Sequence, residues 1–182
     1  MVANKMKFTL KNGEEVEIKE LDRSISAKQV LSFFAPIMRE RPEPFILSDT
    51  IPSLKEEKEW LKKKLKRMAK KEIVTLAVVK DKKVIAICDG IKQERRNRDK
   101  VLVGILIAKQ FRGVGLGKKL LAEVIKLIRK KLKPKIIYLS VMGANKPAKA
   151  LYYKVGFREV GVLPKWVKVR GKYQDEIFMV LK

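Results

Sequence analysis

Between Ala108 and Leu121 the chain reads AKQFRGVGLGKKLL, with Gly113, Gly115 and Gly117 at alternate positions and Arg112, Lys118 and Lys119 beside them. Residues of these types at this spacing can hold a phosphate. Glycine allows positive φ and close approach of the backbone to an anion. A helix starting after the loop offers first-turn amides with no internal acceptor, and its dipole favours negative charge. The two commonest nucleotide loops do not fit. Gly113-Val114-Gly115-Leu116-Gly117 is G-x-G-x-G, whereas the dinucleotide fingerprint is G-x-G-x-x-G. A P-loop needs four residues between its first glycine and a Gly-Lys-Ser/Thr ending; here Val114, Gly115 and Leu116 stand between Gly113 and Gly117, and Lys119 follows Lys118. The bland competitor is a turn in which the glycines only supply positive φ.

The elements around this loop place it. Val101 to Ala108 is apolar on successive residues, as expected of a strand buried on both faces. From Leu116, the positions Leu120, Leu121, Val124, Ile125, Ile128 and Leu132 trace a helical stripe that Pro134 closes, and Ile136 to Val141 is a second buried strand. Strand, helix and strand in this order predict a parallel pair, with the loop at the carboxyl end of its first strand, where open α/β sheets bind ligands. Earlier, residues 6–10 and 15–19 alternate around Lys11-Asn12-Gly13-Glu14 as a hairpin. Ser26 with Gln29, and Ser53 with Glu56, have capping-box spacing and predict helices over 27–39 and 53–71, separated by a loop at Arg41-Pro42-Glu43-Pro44. Residues 73–80 and 83–89 form another hairpin. After the second buried strand, Pro147 and Gly156 bracket a short helix, and 158–181 folds back around Arg170-Gly171-Lys172. The expected fold is α/β (α+β): one domain over 1–182, with a mixed, mostly antiparallel sheet of six or seven strands and a parallel pair near its middle.

The 182 residues carry 44 Lys and Arg against 20 Asp and Glu, a formal charge of +24, with no histidine and one cysteine, Cys88. The chain has no run resembling a signal peptide or membrane span, so it is expected to be cytoplasmic, with no membrane partner and no metal. Such a charge draws a protein towards polyanions, and nucleic acid or ribosome contact is one reading. The other is the Lys- and Glu-rich, Asn- and Gln-poor bias of proteins from hot environments. Much of the excess sits on Lys55 to Lys71, interleaved with Glu56, Glu57 and Glu59, as on a solvated helix face.

A second motif narrows the chemistry. Arg112 to Gly117 fits R-x-x-G-x-G. Asn145 with Ala150-Leu151-Tyr152-Tyr153-Lys154-Val155-Gly156-Phe157 fits N-x-x-A-x-x-L-Y-x-K-x-G-F. Together, one helix and one strand apart, they resemble the signatures of the GNAT superfamily of N-acetyltransferases. The resemblance implies that the central parallel pair splays and that acetyl-coenzyme A binds as co-substrate. Its pyrophosphate would lie on amides of Gly113, Val114, Gly115, Leu116, Gly117 and Lys118, with the positive charge of Arg112 beside it. Backbone groups of Leu106, Ile107 and Ala108 would pair with the pantetheine arm, one amide polarising the thioester carbonyl and stabilising its oxyanion. Tyr152 takes the family position of the acid that protonates the leaving thiolate. Asn145 takes that of a coenzyme contact, though it also suits a turn before a helix.

Many relatives carry a glutamate early in the strand before the loop; here Leu102 stands near that place. With no histidine, the proton acceptor would be a carboxylate elsewhere, such as Asp89, Glu94 or Asp175, or an ordered water. The acceptor cleft implied by the family involves residues 26–60, with Phe33, Phe34 and Phe45, and 163–176, with Trp166 and Tyr173. The expected function is acetyl transfer to a primary amine of a small molecule, peptide or protein, by a monomer or homodimer. The alternative is a basic nucleic-acid- or ribosome-associated module that keeps the fold without turnover.

Overall fold

The computed structural model describes residues 5–40, 50–169 and 171–182. The loop expected at Arg41 to Pro44, the aromatic Phe45 and the turn residue Arg170 lie outside the described residues. Eight strands form one sheet in the order β1-β2-β3-β4-β5-β6-β8-β7, more than the six or seven expected. Its hairpins are β1 (Met6–Thr9) with β2 (Glu15–Glu20), β3 (Ile73–Lys80) with β4 (Lys83–Lys92), and β7 (Phe157–Val169) with β8 (Lys172–Leu181). In the turn between β3 and β4, Asp81 and Lys82 both have positive φ, the backbone of a tight hairpin whose twist matches its strands.

Both capping boxes form. Ser26 and Gln29 open α1 (Ala27–Met38), and Ser53 and Glu56 open α2 (Leu54–Ala69), each serine accepting from the N3 amide while the N3 side chain accepts from the serine amide. Both helices lie on one face of the sheet, where Val30, Phe33, Ile37 and Leu61 pack on Ala77, Val84 and Ile87. The other face carries α3 (Leu116–Lys131) and α4 (Lys146–Val155). There Leu120, Leu121, Val124 and Ile128 cover Val101 and Val103 of β5 (Lys100–Ile107) and Leu139 and Val141 of β6 (Ile136–Met142). Burying these apolar side chains supplies the main driving force for this architecture.

β5 and β6 are parallel, as their order predicts, but are paired only through Lys100, Val101 and Leu102 against Ile136, Ile137 and Tyr138. Beyond these residues β5 stays on β4 as far as Ile107, while β6 follows β8 through Met142. The sheet therefore opens at the carboxyl ends of its central strands. The same divergence corrects the expectation that both strands are buried on two faces. Gly104 is exposed, and Leu102, Leu106, Tyr138 and Ser140 are half-buried, because α1 and α2 reach only the β2–β4 half of that face.

Candidate active site

The three glycines do three different things. Gly113 and Gly115 have φ of 78° and 89°, values that a residue with Cβ adopts only under strain, and Gly115 caps α3. Gly117, inside the helix, is the point where α3 meets α4: a Cβ there would lie 2.9 Å from Leu151 Cδ2 and 3.2 Å from Ile107 Cδ1. Positive φ and close approach thus both operate. Among the described residues no protein acceptor takes the amides of Gly113 to Lys118, and the first amide bonded back belongs to Lys119, which donates to Gly115 O at 3.3 Å. The result is a row of free donors at a helix N-terminus.

The β1–β2 turn leans on this loop. Lys11 N–H donates to Val114 O at 3.1 Å, and the Lys11 side chain crosses Gly115. Arg112 sits differently from its expected place among the anion-facing groups. Its guanidinium donates both Nη atoms to the Glu40 carboxylate, at 2.7 and 2.8 Å, while Nε donates to Ile107 O at 2.8 Å. It ties the end of α1 to the end of β5 and fixes the loop's entry.

From the loop, a cleft of about 1130 Å³ runs into the gap between β5 and β6. Ala108 N–H donates to Ile85 O at 2.9 Å and Ala108 O accepts from Phe111 N–H, so that residue's backbone is fully engaged. The alternation of an antiparallel ladder then turns the amide groups of Leu106 towards β4 and those of Ile105 and Ile107 into the gap. Of the expected stretch Leu106 to Ala108, only Ile107 turns its backbone to the gap, its N–H open to the cleft and its O already accepting from Arg112 Nε, and Ile105 joins it.

Tyr152, on α4, lines the same cleft and is 7% exposed, its ring edge-on to Phe157 at 6.0 Å between centroids. Burial pushes its phenol far above the ordinary range, with the nearby Cys88 adding to the shift. It therefore stays protonated across the neutral range. Asn145 caps α4, its Oδ1 accepting from Ala148 N–H at 3.2 Å, and it also borders the cleft. The turn role is thus real, and it leaves the amide nitrogen free to face a ligand.

The three acids considered as proton acceptor lie elsewhere. Asp89 accepts from Lys64 Nζ at 2.6 Å and Thr75 Oγ1 at 2.7 Å beneath α2. Glu94 is exposed between β4 and β5, at the closed end of the strand pair. Asp175 is exposed and accepts from Lys165 N–H at 2.8 Å. The carboxylates that border the cleft are Glu40 and Glu176. Neither was singled out from sequence, although an acid ahead of the apolar run Ile177-Phe178-Met179-Val180 was a visible irregularity. Of the expected acceptor aromatics, Phe33 is core and Phe34 half-buried, while Trp166 and Tyr173 stand exposed on β7 and β8. Among the described residues no cluster of three metal-binding side chains occurs, and no helix is long and apolar enough to cross a membrane.

The chain has relatives in sequence and in fold among known proteins. The chain is similar to an N-alpha-acetyltransferase of Sulfurisphaera tokodaii, 39% identical over 62 residues that make up 34% of this chain and 37% of that protein. The match thus spans little more than a third of that relative's length. By fold it is similar to the ribosomal-protein-S5-alanine acetyltransferase of Vibrio fischeri, with a TM-score of 0.81 and 17% identity over 96% of this chain and 95% of that one. It is also similar to a putative acetyltransferase from Salmonella typhimurium solved with its cofactor acetyl-CoA, with a TM-score of 0.75 and 18% identity over 92% of this chain and 93% of that one. The profile of the Acetyltransferase (GNAT) family matches residues 34–157, which hold the splayed pair, the glycine loop and Tyr152. By this match, and by the open strand pair feeding a helix N-terminus, the chain belongs to the GNAT family of acetyltransferases.

Proposed function

We propose that the protein transfers the acetyl group of acetyl-coenzyme A to a primary amine by direct attack on the thioester. The observation that carries this reading is the β5–β6 pair, joined over three residues and then open, its free edge leading to unpaired amides at the start of α3. The residues fit the coenzyme: an unpaired strand edge suits an extended arm bearing amides, and the loop suits a pyrophosphate. Acetyl-coenzyme A supplies an acyl group activated as a thioester.

The amides of Gly113 to Lys118 hold the pyrophosphate, with Lys118 and Lys11 as nearby cations. Ile105 and Ile107 pair with the arm through their backbone, and an N–H of this edge polarises the carbonyl to be attacked. Leu106 shapes the wall by its side chain, and Ala108 packs against the core. Arg112 holds the loop's geometry through Glu40 and Ile107. Asn145 offers Nδ2 to the arm, and Tyr152 gives its proton to the departing thiolate. The acceptor favoured by the names of the relatives is the α-amine of a protein N-terminus, and small amines are the competing class. That amine enters from the α1/α2 face, where Gly104 leaves the sheet open.

Calorimetric titration with acetyl-coenzyme A and a released-thiol assay test the proposal. One coenzyme should bind per chain, and peptides with free α-amines should be acetylated while α-blocked copies are not. No binding at millimolar coenzyme would overturn it.

A further inference from the structure

We propose that Glu176 is the site that receives the acceptor's ammonium group and removes its proton, an assignment that rests on the acetyl-transfer reading above. Glu176 lies on β8 opposite Met142 of β6 and Leu163 of β7, and is 8% exposed. Carboxylates are seldom so buried without a cation or several donors, because the charged form loses its hydration. Among the described residues nothing donates to the Glu176 carboxylate and no cation pairs with it. Asp99 Oδ1 is the one side-chain oxygen among them that is both sealed and unpaired, so the Glu176 oxygens open onto the cleft they border. A buried, unpaired anion with access to a cleft fits a cationic ligand.

The pleat gives the direction of approach. Ile177 and Met179 pack with Leu139 and Val141 into the core under α3 and α4, so Glu176 and Phe178 turn to the opposite face with Ser140. Tyr152 belongs to the α3/α4 side. The carboxylate and the phenol thus reach the opened strand pair from opposite faces of the sheet. An amine entering on one face loses its proton there, while the thiolate leaves on the other. The other carboxylate bordering the cleft, Glu40, is committed to Arg112, and of the acids off the cleft Asp89 is committed to Lys64 and Thr75 and Asp175 to the Lys165 amide.

The proton balance closes. A peptide α-ammonium has a pKa of about 7.7 to 8.0 and is mostly protonated, hence unreactive, at pH 7, so one proton passes from it to the Glu176 carboxylate. The freed lone pair forms the C–N bond, the C–S bond breaks, and the thiolate takes the Tyr152 proton. The second N–H proton restores the Tyr152 phenol, and Glu176 releases the first to water. The products are an amide, a thiol and one proton.

The test uses Glu176→Gln, which preserves volume, on the full chain. Two nucleophiles are compared: a pool of peptides bearing each of the common N-terminal residues with a free α-amine, and methoxyamine, which is neutral at pH 7. Coenzyme affinity should stay within about twofold of the parent. Turnover with the peptide pool should fall about 100-fold, the lower range for a general base. With methoxyamine the fall should nearly vanish, and Glu176→Asp should recover part of the peptide activity. Equal loss with both nucleophiles, or no loss with the peptides, overturns the assignment. If the parent binds coenzyme but transfers to neither nucleophile, the acetyl-transfer reading fails and this assignment with it. If Glu176→Gln also loses coenzyme affinity, the residue supports the fold and the assignment fails alone.

Discussion

The two ends of one strand pair behave as different materials. At the closed end, Val101 of β5 and Ile137 of β6 are joined in the ladder and buried in the core. A few residues further along the same strands, Ile105 and Ile107 face a gap, Gly104 is exposed, and the cleft begins. Both ends are built from the same apolar residue types. What differs is the partner: β6 leaves β5 to follow β8, and backbone groups that would have formed sheet become a recognition edge. Substitutions at the closed end should therefore change stability and those at the open end ligand affinity, with little crossover.

The largest effect expected of a single change is Gly115→Glu. It sets a carboxylate against the proposed pyrophosphate site and should lower acetyl-coenzyme A affinity more than 100-fold, of the order of 3 kcal/mol in binding. The positive φ of Gly115 adds a fold cost of about 1 kcal/mol, visible in a denaturant melt. The converse is Val101→Ala at the closed end. It should cost about 2 kcal/mol of stability by urea titration while the folded fraction binds coenzyme as before. If each variant moved both quantities alike, the division between the ends would collapse.

Tyr152→Phe tests the open end's chemistry. Turnover should fall about 10-fold, less than for many acid catalysts because a thiol with pKa near 8.5 is already a fair leaving group, and coenzyme affinity should hold. Because burial raises the Tyr152 pKa, the group stays protonated as pH rises past its ordinary value of about 10, so the parent's pH–rate profile should show no fall from this residue between pH 7 and 10. A descending limb that disappears in Tyr152→Phe would contradict that assignment.

A smaller effect is expected of Glu40→Gln. It replaces the charged bidentate partner of Arg112 and loosens the loop's entry, so coenzyme affinity should drop about threefold by calorimetry, in keeping with a partly exposed pair. An unchanged affinity would mean that the loop holds its shape without that tie.

Much of this was legible in the residues. The hairpins, both capping boxes, the α3 stripe and the two motifs lie in local sequence, where propensity and spacing act. The open groove was not legible. Leu102, Leu106 and Tyr138 are apolar whether they meet a helix or line a cleft, so the composition of β5 and β6 reads as a strand buried on both sides. Arg112 was expected near an anion because its charge is local information, whereas its partner Glu40 is 72 positions away. Glu176 was passed over because its lack of a partner is a property of the assembled sheet. The alternation that pointed Ile107 into the gap and engaged Ala108 with Ile85 depends on the β4–β5 register, which residue types do not specify.

The most direct test of the central claim is amide hydrogen exchange, followed residue by residue by NMR with and without acetyl-coenzyme A. The coenzyme should slow exchange at Ile105, Ile107 and the loop amides from Gly113 to Lys118, and leave Lys100 to Leu102 unchanged. Protection spread evenly along β5, or confined to residues outside the opened pair and the loop, would contradict the account.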